Sequence, residues 1–303
     1  MIYDDIVAIV GNTPHVRVRT EESGRARLHV KLEGMNPTGS IKDRACVHMI
    51  RSKLKDRSLR PSMMLLDASS GNMACAIAFY GRVMGYRATV AANSKLTGEK
   101  RKFLLYCGAT LHQVGNFTIE GNRFCRELAE KDTSGQYCFL DQLHNWDNPR
   151  AYYETLGPEI LADFPNVAMV VGSLGSGGSL LGTGQFLKER SAGVKIVAVQ
   201  AAPGTRIPGT GAFDDGDYIT PFIRKGIDEG VFDHIVKIRE QDAIRRSAEL
   251  KDQGIFCGLQ TGGVLHASLI AIHEFDISGD VVFISGDTGW KNLDKLLDVV
   301  PNA

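Results

Sequence analysis

The sequence predicts an α/β protein in which parallel sheets are covered by helices. From about residue 63, short apolar runs alternate with helical patterns, and this alternation falls into two arrays, the first closing near residue 145. Glycine- and serine-rich stretches stand at several of the strand-to-helix junctions.

Leu28-His-Val-Lys-Leu-Glu33 alternates apolar with polar residues and reads as a strand, followed by the turn formers Asn36, Pro37 and Gly39. Cys46, Met49, Ile50 and Leu54 recur at helical spacing, which places a helix start near Lys42. In the first array, strands are expected at 63–66, 86–92, 110–114 and 136–140, with helices at 72–84, 99–106 and 118–131. In the second, helices are expected at 152–164, 180–188, 242–251 and 264–275, and strands at 167–171, 195–200 and 280–285. Residues 202–217, rich in Gly, Pro and Asp, read as one long loop, and loops of that kind in compact domains are more often functional than idle.

With 303 residues and 43% hydrophobic content, the chain can bury a substantial core. Lysine plus arginine and aspartate plus glutamate both total 35, so no net field points to nucleic acid or an anionic membrane surface, and small molecules are the expected partners. No basic segment precedes an apolar one at the N-terminus, and no run reaches the roughly 18 apolar residues of a membrane span, so a cytoplasmic protein is expected. Six cysteines, at 46, 75, 107, 125, 138 and 257, form no C-x-x-C pair and read as reduced core residues, with no metal site.

Three segments carry chemistry. Lys42 sits where a strand gives way to a helix N-terminus, whose positive dipole end favours the free amine that attacks a carbonyl. These residues by themselves equally allow a solvated surface lysine. Ser69-Ser-Gly-Asn72 offers two hydroxyls, a glycine and an amide at a strand-to-helix turn, suited to a carboxylate or a phenolic oxygen, or simply to capping the helix. Gly172-Ser-Leu-Gly-Ser-Gly-Gly-Ser-Leu-Leu-Gly-Thr-Gly184 opens another helix, where inward N–H groups and the hydroxyls of Ser176 and Ser179 suit a phosphate. It lacks the Gly-Lys-[Ser/Thr] of a P-loop, and a tight turn that binds nothing is the alternative. A lysine nucleophile, a carboxylate or phenolate pocket and a phosphate cup together fit pyridoxal 5′-phosphate.

Further motifs give the chain a resemblance over essentially its whole length to the fold-type II pyridoxal-phosphate enzymes of the cysteine synthase and cystathionine β-synthase group. They are Gly11-Asn-Thr-Pro14, Lys31-Leu-Glu33, Asn36-Pro-Thr-Gly-Ser-Ile-Lys-Asp-Arg44, Ser69-Ser-Gly-Asn72, Gln142 with Asn148-Pro149, Gly157-Pro-Glu-Ile160, Gly175-Ser-Gly-Gly-Ser179 and Ile207-Pro-Gly-Thr-Gly211. The resemblance implies a tryptophan synthase β-like fold of two α/β domains with the cofactor in the cleft between them. Residues 1–41 and 146–303 would form the large cofactor-binding domain, and 42–145 a smaller mobile one.

It also implies roles. Lys42 would carry the internal aldimine and then act as base on the substrate α-proton. Asn72 would bond the phenolic oxygen, and Gly175, Ser176, Gly177, Gly178 and Ser179 the phosphate. Ser69, Ser70, Gly71, Asn72, Met73, Gln142 and Gly209 would surround the substrate, with its α-carboxylate on the polar members. An O-activated L-serine would lose its leaving group through an α-aminoacrylate and add a nucleophile, giving L-cysteine or another β-substituted alanine. The implied partners are the amino-acid substrate and a nucleophilic co-substrate, with a sulfur-carrier protein among the candidates, and the implied assembly is a homodimer.

The chain departs from the family pattern in three places. Met73 replaces a hydroxyl donor. Gly258-Leu-Gln-Thr-Gly262 puts Gln260, with Thr261 beside it, where relatives place a serine against the pyridine nitrogen, so one of these two is expected to bond that nitrogen. Gly286-Asp-Thr-Gly-Trp-Lys291 looks closer to the enzymes that use O-phosphoserine, and Arg206 in the long loop is a candidate for an anionic leaving group or an acidic second substrate. A β-eliminating serine or threonine deaminase and a catalytically poor binding homologue are the alternative functions.

Overall fold

The computed structural model describes residues 2–293 and Leu296. The chain opens with strands β1 (His15–Val18) and β2 (Ala26–Leu32), then helix α1 (Lys42–Lys55). Next come β3 (Met64–Ala68), α2 (Asn72–Val83), β4 (Arg87–Ala92), α3 (Gly98–Tyr106), β5 (Thr110–Gln113), α4 (Thr118–Glu130) and β6 (Tyr137–Phe139). Beyond them lie α5 (Asp147–Glu154), α6 (Leu156–Asp163), β7 (Met169–Ser173), α7 (Gly178–Arg190), β8 (Lys195–Ala201) and α8 (Pro221–Asp228). The series ends with β9 (His234–Ile238), α9 (Glu240–Asp252), α10 (Leu259–Glu274) and β10 (Gly279–Ser285).

These elements divide into two compact units. The first holds the chain up to Val10 together with Lys42–Asn148; the second holds Gly11–Ile41 and the chain from Pro149 on.

In the first unit a parallel sheet has the order β5-β4-β3-β6. Every residue of β3 is buried, and its sequence Met-Leu-Leu-Asp-Ala is nearly all apolar, as a strand covered on both faces requires. The chain winds outward through β3, β4 and β5, then returns to place β6 on the other side of β3. At such a reversal the loops leaving two neighbouring strand ends diverge and open a crevice.

The second unit has the order β1-β2-β10-β7-β8-β9, parallel except for β1, which runs antiparallel to β2. Val30, Val171, Val199 and Phe283 from its strands meet Leu250 of α9 and Leu265 of α10 in one apolar core. Its winding reverses between β7 and β10, which creates a second crevice of the same kind.

The helix expected across 152–164 is two helices, α5 and α6, with a break at Thr155. Pro158 has no N–H for the Glu154 carbonyl, so the first helix cannot run on, whereas proline is tolerated in the first turn of a new one. Helix α10 begins at Leu259, ahead of the expected start at Val264, despite two glycines in its first turns. A Cβ at Gly262 would lie 2.0 Å from the Ala243 carbonyl oxygen, so close α9–α10 packing demands that residue. Strands β1 and β9 and helix α8 are additions to the sequence reading. Among the described residues, no helix is long and apolar enough to cross a membrane.

Candidate active site

The turn Ser69–Asn72 leaves the end of β3 and Gln142 follows β6, so both stand at the reversal point of the first unit. The Ser69 N–H donates to the Ala91 carbonyl of β4 at 3.0 Å. Ser69 Oγ accepts the Gly71 N–H at 3.1 Å, and Ser70 Oγ accepts the Asn93 N–H at 2.6 Å. With lone pairs committed to the backbone, each hydroxyl has its own proton to offer a ligand. Gln142 Nε2 donates to the Ala68 carbonyl at 2.7 Å, which holds its carboxamide beside the same turn. The result is a group of donors suited to a carboxylate. Asn72 opens α2, and Met73 behind it is 1% exposed, a core side chain that brings no polar atom to the turn.

Beneath this turn, Asp67 of β3 is wholly buried and accepts the N–H groups of Ala68 at 2.7 Å and Gln142 at 3.2 Å. Burial pushes its carboxyl up to about 8, outweighing those two bonds, and the nearby Asp141 acts in the same direction as burial. Lys42 is the first residue of α1, partly buried, in the same unit. Helix α1 packs against α2, and the Tyr80 hydroxyl of α2 donates to Asp43 Oδ2 beside Lys42 at 2.8 Å.

In the second unit, Gly175–Ser179 links β7 to α7 at the reversal point. Gly177 caps α7 with φ at 82°, and a Cβ there would lie 2.5 Å from Ile223 Cγ1. The bond from Leu181 N–H to the Gly177 carbonyl, 2.9 Å, starts the helical ladder, so the N–H groups before it are those an anion would take. Thr220 holds the loop from behind. Its Oγ1 donates to the Ser176 carbonyl at 2.6 Å and accepts the Ile223 N–H at 3.3 Å, capping α8.

Gly209 belongs to the same cluster: a Cβ on Gly175 would approach its carbonyl oxygen at 3.1 Å. Gln260 Nε2 donates to that carbonyl at 2.9 Å, and its Oε1 lies 2.1 Å from where a Cβ on Gly286 would be. Gln260 therefore fastens the 207–211 loop to the start of α10 and the end of β10. Thr261 is fully buried, with its hydroxyl 3.0 Å from that of Ser285. Arg206 lies on an exposed stretch of the long loop, with Nη1 3.0 Å from Asp217 Oδ1.

The first unit thus gathers Ser69, Ser70, Gly71, Asn72, Met73 and Gln142, and carries Lys42. The second gathers Gly175, Ser176, Gly177, Gly178 and Ser179 with Gly209 and Gln260. The phosphate of pyridoxal 5′-phosphate fits the second set, because the start of α7 and the hydroxyls of Ser176 and Ser179 offer donors to an anion, whereas the bare Gly177 is what the left-handed turn and Ile223 require. Thr220, Asn93 and Ser285 escaped the sequence reading. Thr220-Pro221 is a legible helix start, whereas Asn93 acts through its backbone and leaves no sequence signal.

The family model for "Pyridoxal-phosphate dependent enzyme" matches residues 6–287. The chain is 35% identical to cysteine synthase B of Pseudomonas aeruginosa, an alignment that covers 96% of each chain. It is 29% identical to the O-acetylserine dependent cystathionine β-synthase of Bacillus subtilis over 97% of each. Among solved structures, O-ureido-L-serine synthase superposes with a TM-score of 0.89 at 27% identity, covering 100% of this chain and 98% of that one.

Proposed function

The chain belongs to the family of pyridoxal-phosphate-dependent enzymes, and from that premise we propose that it catalyses β-replacement on an O-activated L-serine, O-acetyl-L-serine first and O-phospho-L-serine second, giving L-cysteine or another β-substituted alanine. The donor set at the β3–β6 reversal supports this reading: Ser69, Ser70 and Gln142 each have an atom engaged by the backbone and a proton left for an α-carboxylate. Likeness to cysteine synthase B over nearly the full length of both chains supports the reaction type.

When bound, pyridoxal 5′-phosphate supplies an electron sink for charge that develops at the substrate α-carbon. Gly175–Ser179 would hold its phosphate through N–H groups and hydroxyls, with Thr220 bonded to the Ser176 carbonyl behind that loop. Lys42 Nζ would hold the cofactor, and once the substrate's own amine had taken its place the freed Nζ would accept the proton from the α-carbon. Ser69, Ser70, Asn72 and Gln142 fix the carboxylate so that this C–H bond faces Nζ. Arg206 takes an anionic group on the leaving group or on the second substrate. The nucleophile is a small thiol, sulfide or amine, or a protein sulfur carrier, and the assembly is a homodimer.

The test is titration of the holoenzyme with O-acetyl-L-serine and O-phospho-L-serine, followed in the cofactor's visible absorption, then addition of a panel of nucleophiles with product identification. A shift in the absorption band that a nucleophile reverses, with a β-substituted alanine accumulating, is expected. Pyruvate accumulating in place of that product would assign the protein to the eliminating deaminases instead.

A further inference from the structure

We propose that Asp141 is a positioning residue that acts through Gln142, holding its carboxamide over the end of β3; this rests on the reading of Gln142 as a donor to the substrate carboxylate. Asp141 has φ at 54°, in the left-handed region that side chains other than glycine seldom occupy. Aspartate enters that region more readily than most side chains, but its surroundings must hold it there. Here they do so from two directions. From α4, Asn122 Nδ2 donates to Asp141 Oδ1 at 2.8 Å and Arg126 Nη2 to Oδ2 at 2.6 Å. From its own turn, His144 Nδ1 lies 2.9 Å from Oδ1 and, since a carboxylate only accepts, carries the proton. The main-chain oxygen of Asp141 accepts the N–H groups of His144 at 3.0 Å and Asn145 at 2.8 Å.

This convergence falls on the residue immediately before Gln142. The left-handed turn at Asp141 folds the chain back, so the Gln142 N–H reaches Asp67 at 3.2 Å and its Nε2 reaches the Ala68 carbonyl at 2.7 Å. Asn148 Nδ2 closes the arrangement on the Gln142 carbonyl at 2.7 Å. Were Asp141 to relax to an ordinary φ, the Gln142 side chain would swing away from Ala68 and from the Ser69 turn that follows it. The hub therefore sets the direction of one carboxamide across the crevice.

A double-mutant cycle on the holoenzyme tests this, with KM and kcat measured for O-acetyl-L-serine. Asp141→Gly removes the carboxylate while keeping the left-handed conformation accessible, and is expected to raise KM about tenfold with kcat changed less than about twofold, the size of a lost charged hydrogen-bond network. In a Gln142→Ala background the same change is expected to move KM by less than about twofold, because groups acting in series do not add. Asp141→Asn, which tolerates the same φ and keeps one acceptor, should recover part of the loss. Should Asp141→Gly not fold, Arg126→Gln withdraws a single half-exposed donor and should raise KM in the same direction, by about two- to threefold. An equal KM effect in both backgrounds, or none in the wild type while Gln142→Ala does raise KM, overturns the role of Asp141. No effect of Gln142→Ala itself overturns the reading of Gln142, and the inference with it.

Discussion

The Tyr80 hydroxyl donates a 2.8 Å hydrogen bond to Asp43 Oδ2, and both side chains are fully buried. Burial, and then the neighbouring carboxylate, push the phenol well above its ordinary value, so Tyr80 stays a donor at any physiological pH. The bond ties α2 to the first turn of α1, directly beside Lys42. Tyr80→Phe is expected to lower stability by about 1.5–3 kcal/mol, the range for a hydrogen bond to a charged group. Denaturant unfolding checks this, and an unchanged midpoint would show that Asp43 is held by its other contacts.

Lys31 is 1% exposed, and its Nζ lies 2.7 Å from Glu159 Oε2 and 2.6 Å from the Thr13 carbonyl. Thr13 Oγ1 donates to Glu33 Oε1 at 2.6 Å, and Asn36 Nδ2 to Glu33 Oε2 at 3.0 Å. Removing one partner of a buried pair leaves the other uncompensated, so Lys31→Met should cost about 3–5 kcal/mol. Adding Glu159→Gln should return part of that loss in the same unfolding measurement.

That network also shows what the sequence could and could not convey. Gly11-Asn-Thr-Pro14, Lys31-Leu-Glu33, Asn36 and Glu159 stood out as separate motifs, yet they join in one buried polar cluster, with Asn36 Oδ1 accepting the Gly11 N–H and Glu159 the Asn12 N–H. Their pattern was legible; their structural purpose was not, because it depends on residues far apart in the chain. The alternation of apolar runs and helical spacing conveyed the parallel strands at the centre of both sheets, since strands such as β3 are buried on both faces, but not β1, which runs antiparallel at an edge. The break between α5 and α6 needed a rule about one proline. Gln260 was expected near a ring nitrogen from its place in a motif, whereas its bond to Gly209 required the path of a loop 51 positions earlier.

Gly177→Ala should weaken cofactor binding selectively. An alanine at φ 82° costs about 1–2 kcal/mol in backbone strain, and its Cβ would also overlap Ile223. Because the empty loop can relax this strain and the phosphate must restore it, the Kd for pyridoxal phosphate is expected to rise about five- to thirtyfold, 1.4 kcal/mol being a factor of ten. Fluorescence titration of the apoprotein reads this directly, and an unchanged Kd would mean that the phosphate sits elsewhere.

Asp67 gives the protein a defined pH dependence. In the folded chain, burial raises its carboxyl to about 8, while the unfolded chain ionises near the ordinary 3.8. Between these values the native state binds a proton that the unfolded state has released, so stability falls as pH rises, by up to about 1.4 kcal/mol per pH unit for one proton. The contribution is fully present below about pH 4 and is lost by the time the pH has passed about 8. Asp67→Asn is neutral throughout and lacks this slope. Urea midpoints of the two proteins between pH 5 and 9 should therefore diverge, the variant gaining on the wild type until about pH 8 and the difference then levelling. Because all other titrating groups are common to both, a difference that stayed constant across this range would mean that Asp67 is ionised in the folded protein, with its two backbone N–H bonds outweighing the cost of burial.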